Sequence, residues 1–148
     1  MACPFFLPVR RLASGGWNPA PRLPLGDAYS GSCQADASGP FEPPEEIQRE
    51  LCNCGYARQR CSRFPENGAA DAVRFSVTGD QDGRVTLIYI LEKDHAPMEH
   101  GSMEHGSMEH GLMNYATGAG EPLASQARAF VESYLRQRAE GRAASASA

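Results

Sequence analysis

The first residues lack the pattern of a secretion signal and the sequence lacks a long apolar run, and both absences bear on where we expect the protein to work. In residues 1–11, no basic residue precedes the apolar run, proline interrupts that run, and the arginines come after it. No stretch of about 18 apolar residues exists, so no transmembrane helix is expected. We therefore expect a cytoplasmic protein with no membrane contact, in a reducing compartment where disulfides are rare.

Lysine is nearly missing too, since Lys93 is the only lysine among 14 basic residues. We attribute this bias, together with the abundant Ala, Gly and Pro, to codon usage in a GC-rich, bacterial-like genome. The net charge of −4 disfavours a general nucleic-acid-binding surface. A length of 148 residues with 41% hydrophobic content fits one globular domain.

Familiar catalytic motifs are missing as well. The sequence has no G-x-S-x-G, H-E-x-x-H, Walker A or G-x-G-x-x-G pattern. Asp94 and His95 directly follow a predicted strand, and we interpret them as a solvated strand exit. We therefore predict no catalytic residues and lean against an enzyme.

What the sequence does have is a group of cysteines in its first 61 residues. Clustered thiols in a reducing compartment are more often metal ligands or reactive groups than disulfides. Four thiolates can close a zinc site or hold a [4Fe–4S] cluster. The C-x2-C spacings of zinc ribbons and ferredoxins are missing, so this hypothesis depends on number, clustering and compartment. The five residues are Cys3, Cys33, Cys52, Cys54 and Cys61.

Only four of these five thiols are needed for such a site. Cys3, Cys33 and Cys61 have no close competitor, whereas Cys52 and Cys54 compete for one place. We favour Cys52, because a short helix before it can hold it in position. Cys54 stays as the alternate ligand or as a free thiol.

Three arginines, Arg58, Arg60 and Arg63, surround the last cysteine. Four thiolates on iron or zinc leave net negative charge, which guanidinium groups can offset, and hydrogen bonds to sulfur tune the potential. We therefore predict that these arginines contact the cofactor.

An iron–sulfur cluster is the leading hypothesis, since zinc sites usually show paired short spacings. Structural zinc in an interaction module and buried, inert cysteines are the alternatives. Four cysteine ligands leave no open iron position. We therefore expect electron transfer or redox sensing, with a redox protein as partner, rather than substrate chemistry.

A five-residue repeat follows, covering residues 98–102, 103–107 and 108–112 with the pattern Met-Glu-His-Gly. Methionine and histidine suit copper, and histidine also suits nickel. A metal-free domain with a copper- or nickel-binding loop is therefore the third hypothesis. A step of five gathers the histidines on neither a helix face nor a strand face. We interpret residues 94–118 as a duplicated surface loop.

Periodicity predicts the regular elements. Val73, Phe75 and Val77 alternate with polar residues, and a turn at 78–83 leads to a second strand that is apolar on both faces. Such a strand should be covered on both sides, by a helix and by the N-terminal coil. Residues 45–51 predict a short helix, and an apolar stripe predicts a C-terminal helix over 121–142 with a frayed tail.

The sequence thus predicts a single α+β domain. A cysteine-rich coil with a short helix covers residues 1–70, a β-hairpin 71–93, the repeat loop 94–118 and a helix 121–142. The hairpin, to which the coil can add a third strand, packs on the C-terminal helix. A metal centre ties the coil to the short helix, and the oligomeric state stays open.

Overall fold

The computed structural model describes residues 2–12, 24–35, 39, 41–105, 113–114 and 121–146. Its helices are a single turn, α1, which continues as a π-helical turn over Gln48–Cys52, and the long helix α2. The elements in chain order are β1 (Phe6–Arg11), β2 (Tyr29–Cys33), α1 (Glu45–Ile47), β3 (Ala72–Gln81), β4 (Arg84–Lys93), β5 (Ala96–His105), β6 (Met113–Asn114) and α2 (Glu121–Ala146).

The strands form two antiparallel sheets in the described part of the chain. One is the ribbon β1–β2, and the other has the order β3-β4-β5-β6. Two-residue turns join the long strands: Asp82-Gly83 lies between β3 and β4, and Asp94-His95 lies between β4 and β5. All four turn residues have positive φ, as the tightest hairpin turns require. The predicted α+β class and the predicted hairpin are confirmed.

The core joins α2, one face of the larger sheet and the N-terminal segment, whose Phe6, Leu25 and Tyr29 belong to the same buried cluster. Val85, Leu87 and Tyr89 of β4 are at most 5% exposed. Against them pack apolar residues of α2, and the Phe130 ring stacks on Phe75 of β3 with ring centroids 5.6 Å apart. The opposite face of β4 is only half-buried, so the expected cover on both faces is incomplete.

The third long strand comes from the repeat and not from the N-terminal coil. Ala96–His105 pairs along β4, so the interpretation of residues 94–118 as a loop is wrong for this stretch. Because the repeat has an odd number of residues, equivalent residues of successive repeats lie on opposite faces of a strand. A strand can form here because residues 96–100 are exposed on both faces and no apolar face has to be kept. Gly101 is required there, since a Cβ would lie 2.5 Å from the Tyr89 ring. Residues 106–112 of the repeat lie outside the described residues.

The N-terminal coil pairs mainly with itself, in the ribbon β1–β2. It meets the hairpin where Ala2 and Val73 exchange two backbone hydrogen bonds of 2.8 Å. The predicted helix at 45–51 is present as α1 and its π-helical continuation. The prediction of a frayed C-terminal tail is wrong as far as Ala146, because α2 continues through an alanine-rich stretch of high helix propensity.

Candidate metal centre

Four of the five cysteines line one cavity of about 340 Å³. They are the four favoured from the sequence: Cys3, Cys33, Cys52 and Cys61. The fifth, Cys54, is not among the lining residues, and its thiol donates to the Arg49 carbonyl at 3.5 Å. The walls are mostly apolar and come from Phe5, Phe6, Phe41, Pro43, Pro44, Ile47, Leu51, Ala57 and Phe64. All five cysteines are free thiols.

Cys3 is held by backbone and side-chain hydrogen bonds just before β1. Its N–H donates to the Cys52 carbonyl at 3.0 Å, so two of the cavity cysteines are joined directly. Its own carbonyl accepts from the Phe6 N–H at 3.1 Å and from Gln126 Nε2 at 2.7 Å. Gln126 is fully buried in α2 and donates to the Phe6 carbonyl as well, at 2.7 Å. The long helix thereby fixes the turn that carries Cys3.

Cys33 ends β2, opposite Phe6 in the ribbon register. It exchanges backbone hydrogen bonds with Phe41, at 2.6 and 3.2 Å. The Gln34 N–H donates to the Phe5 carbonyl at 2.9 Å. These bonds bring both the Phe5 segment and the Phe41 segment to the cavity wall.

Cys52 ends the π-helical turn, and Gln48, four residues before it, ties that turn to its neighbours. The buried Gln48 amide accepts from the Gly31 N–H at 3.0 Å and donates to the Pro43 carbonyl at 2.6 Å. Gly31 has no room for a side chain, because a Cβ would lie 2.0 Å from the Leu7 carbonyl oxygen. The backbone of the ribbon is therefore bound to a side chain of the turn that carries Cys52.

Asn53, directly after Cys52, completes this link and is 1% exposed. Its Oδ1 accepts from the Tyr29 N–H at 3.1 Å, and its Nδ2 donates to the carbonyls of Tyr29 and Gln48 at 3.0 and 2.8 Å. Every donor and one acceptor of the amide are thus used. Asn53 was not singled out from the sequence, because no periodic pattern marks this linking function.

Cys61 closes a tight turn in which its N–H donates to the Ala57 carbonyl at 2.8 Å. The turn is entered through left-handed backbone at Tyr56 and Gln59, with φ of 56° and 68°. Non-glycine residues adopt this conformation at a cost, which surrounding contacts must offset. The Phe64 N–H donates back to the Cys61 carbonyl at 3.1 Å and so keeps the Phe64 ring beside the cavity.

The buried thiols do not favour the charged state on their own. Burial, together with the charge of neighbouring cysteines, raises the pKa of Cys3 to about 12 and that of Cys52 to about 12. Activated nucleophilic cysteines show the opposite shift. A bound metal stabilises thiolates at neutral pH by replacing their protons. Cys3 and Cys52 therefore lack the lowered pKa of an activated nucleophile.

Two of the three predicted arginines reach the cavity. Arg60 and Arg63 line it, and the Arg63 guanidinium lies 3.6 Å from the centre of the Phe41 ring. Arg58 does not line it: its Nε donates to Asp71 at 2.6 Å, which holds the guanidinium elsewhere. Arg58 is thus not among the residues that line this cavity, and its predicted contact with a cofactor stays a prediction. Asp71 is 3% exposed, so the pair neutralises a buried carboxylate.

The Asp94–His95 turn is more than a solvated strand exit. The His95 ring stacks on Tyr56 with ring centroids 4.1 Å apart, and the Asp94 N–H donates to Asp71 at 2.9 Å. The Tyr56 hydroxyl donates to the buried Glu92 carboxylate at 3.2 Å. These contacts hold both turn residues in left-handed backbone and connect the hairpin to the segment that precedes Cys61.

In the part of the chain that the structure describes, no three His, Cys, Asp or Glu side chains are arranged to hold a metal ion. The cysteines thus surround the cavity instead of meeting at one point. Over the same residues, no helix combines the length and apolarity of a membrane span. Comparisons with protein-family models, with curated proteins and with solved structures find no match to this chain.

Proposed function

We propose that this chain is a small iron–sulfur protein that holds a [4Fe–4S] cluster through Cys3, Cys33, Cys52 and Cys61 and acts in electron transfer or redox sensing. The observation that carries this proposal is that these cysteines, from four separate segments of the chain, line one cavity. Four cysteine thiolates are the usual ligand set of such a cluster, which supplies reversible electron uptake when bound.

The size and the walls of the cavity support a cluster over a single ion. A tetrahedral zinc site needs all four sulfurs about 2.3 Å from one point. The four cysteines instead surround about 340 Å³, within the range of cavities that take small ligands and cofactors. Phe5 and Phe64 meet edge to face at 5.4 Å and exclude water from one wall. Hydrophobic surroundings of this kind tune the potential of a metal centre.

The cavity residues also limit the chemistry. Four thiolate ligands leave no open position on the metal, so the chain's residues support electron exchange and not substrate binding at iron. Arg60 and Arg63 are the charged side chains at the wall, and their positive charge stabilises a negatively charged thiolate centre. The expected partner is therefore another redox protein.

The proposal is tested on untagged protein purified without oxygen, by its absorption spectrum and by iron and sulfide analysis. The expected result is a brown protein with broad absorbance near about 400 nm and about four irons and four sulfides per chain. A colourless, folded protein without metal contradicts the proposal.

Structural zinc is the second candidate, because the same four thiols join segments with little regular structure, and metal binding can supply folding energy. A colourless protein with one zinc per chain that unfolds when a chelator is added would support structural zinc in place of the iron–sulfur cluster. Copper or nickel binding by the repeat is a separate proposal. It is tested by metal titration of a His100→Ala, His105→Ala, His110→Ala variant, which leaves the β5 backbone intact.

A further inference from the structure

The charged groups at the cysteine cavity are all of one sign. Among the described residues that line it, Arg60 and Arg63 are the ones that carry charge. Ile47 of α1 and Pro44 directly before that helix belong to the wall, while the carboxylates of Glu42 and Glu45 line an adjoining depression beside β1. A chain with a net charge of −4 therefore places two positive side chains at this opening.

These two arginines differ from the other well-placed arginines of the chain. Arg58, Arg136 and Arg138 are each bound to an aspartate: Asp71, Asp27 and Asp80 respectively. Arg60 and Arg63 are exposed and form no ion pair within the described residues. Their charge is therefore available to an external anion.

Phe41 adds an apolar component to the same opening. It is one of the few large apolar side chains with substantial exposure, at 36%, and the Arg63 guanidinium covers its ring. Arginine and aromatic residues are the types enriched at the centres of protein interfaces. We call Phe41, Arg60 and Arg63 together the arginine face.

We infer that the arginine face docks an electron-transfer protein through a carboxylate-bearing surface and thereby steers it to the cysteine-bound centre. This inference rests on the proposed function and adds the recognition chemistry of the partner. Opposite charge at an interface raises the encounter rate and fixes the orientation more than it raises affinity. The face lies on the wall of the cavity itself, so a partner held there is close to the centre with which it exchanges an electron.

The test uses two cobalt(III) oxidants of opposite charge as probes, with the reduced holoprotein in stopped flow. Each reaction moves one electron from the reduced cluster to cobalt(III), giving cobalt(II) and the oxidised cluster. The anionic probe is tris(oxalato)cobaltate, and the cationic probe is hexaamminecobalt. At low salt, Arg60→Glu and Arg63→Glu should each slow the anionic probe about three- to tenfold and accelerate the cationic one. Both effects should fade near 1 M salt, where the Debye length falls to about 3 Å.

Arg142→Glu is the matched control, because it changes the net charge equally. Arg142 is exposed on α2, and it lies 16 residues beyond Gln126, which contacts the Cys3 turn. That separation is about 24 Å along the helix. If Arg142→Glu changes the probe rates as much as the other two variants do, the effect comes from the net charge and not from the position of the arginines, and the inference is overturned. Unchanged probe rates in both arginine-face variants would overturn it as well.

A second readout does not need the cluster. In the apoprotein, the Cys61 thiolate displaces iodide from anionic iodoacetate or from neutral iodoacetamide and forms a C–S bond. We measure the rate with iodoacetate divided by the rate with iodoacetamide, by peptide mass spectrometry. A change in thiol pKa alters both rates equally and cancels, so this ratio reports the local electrostatic field. The ratio should fall severalfold in Arg60→Glu, and an unchanged ratio contradicts a positive field at the opening. Purified protein without a cluster refutes the proposed function, and the partner assignment with it; this ratio shows separately whether the field exists.

Discussion

The two halves of the molecule are stabilised in different ways. In the half formed by β3, β4, β5 and α2, long antiparallel ladders satisfy the backbone and an apolar stripe of the helix covers the sheet. In the cysteine half, which covers residues 2–64, the strands are short and the helix is two turns long. There the long side-chain amides of Gln48, Asn53 and Gln126 bond to the backbone of neighbouring segments.

This difference shows where each half takes its rigidity. Ladders and apolar stripes stabilise the first half through many backbone hydrogen bonds and through large buried side chains such as Leu87. The cysteine half also contributes apolar residues such as Phe6 and Leu25 to the core, but its segments are joined by a few buried amides, each of which makes two or three hydrogen bonds. Such a region can hold four thiols around a cavity, yet its stability falls sharply when one amide is removed.

Leu87→Ala should have the largest effect, because Leu87 is fully buried at the centre of the sheet–helix half. We expect a loss of about 2–5 kcal/mol in the free energy of unfolding, measured by urea denaturation. Ile88→Ala is the matched control, on the half-buried face of the same strand, and should cost clearly less. Equal losses would contradict the assignment of the core to one face.

Asn53→Ala should come next, at about 3 kcal/mol, because it leaves backbone groups of Tyr29 and Gln48 without their partner. Hydrogen exchange should accelerate at the amides of β2 and of the π-helical turn, while β3 and β4 stay protected. The exposed Asn67→Ala should remain within about 0.5 kcal/mol of the parent protein. Uniform acceleration across both halves would remove the distinction between them.

Gln126→Leu should cost less, about 1–3 kcal/mol, since its buried Oε1 is already unpartnered and disappears with the substitution. The carbonyls of Cys3 and Phe6 lose a donor, so Cys3 should react faster with iodoacetamide in the apoprotein while Cys52 stays slow. Gln137→Leu is the control, because this exposed glutamine of the same helix also donates to a carbonyl, that of Gly26. Equal reactivity of Cys3 in both variants would contradict the anchoring function of Gln126.

Asp71→Asn should have the smallest effect at neutral pH, about 1–2 kcal/mol. Burial raises the pKa of Asp71, but the Asp94 N–H and the Arg58 guanidinium lower it further, so its net shift is downward. A lowered pKa gives stability that is present above the ordinary value near 3.9 and is lost as the pH falls through the folded value. The difference between parent and variant should therefore shrink from about pH 6 to pH 3.

Asp82→Asn, in the exposed turn of the first hairpin, should show neither the loss at neutral pH nor the convergence at low pH. The two turns occupy equivalent places between long strands, and only the second is tied to the cysteine half. A similar pH profile for both variants would mean that this tie contributes nothing.

The two halves also differ in how far the sequence predicted them. Alternation at Val73, Phe75 and Val77 located the hairpin, and helical spacing located α2, because regular elements leave a period in the chain. β5 was missed because a five-residue repeat carries neither period. The neighbouring residues in the sequence do not distinguish Gly101, which packs against the Tyr89 ring, from a glycine in a loop.

In the cysteine half, the choice of Cys52 over Cys54 followed from a helix end that the structure contains. That argument needed no long-range information. The amide bonds of Gln48, Asn53 and Gln126 join residues up to 123 positions apart and have no sequence signature. Arg58 shows the same limit of sequence-based prediction. Its partner Asp71 lies 13 residues away, and nothing in the sequence indicated that the two residues form an ion pair beside the cavity.

The most direct test of the central claim is a set of five single Cys→Ser variants, purified without oxygen and compared by iron content and visible absorption. The account predicts that the variants at Cys3, Cys33, Cys52 and Cys61 lose the cluster, while Cys54→Ser keeps it with an unchanged spectrum. Loss of the cluster in Cys54→Ser, or a full cluster in any of the other four variants, would contradict the account.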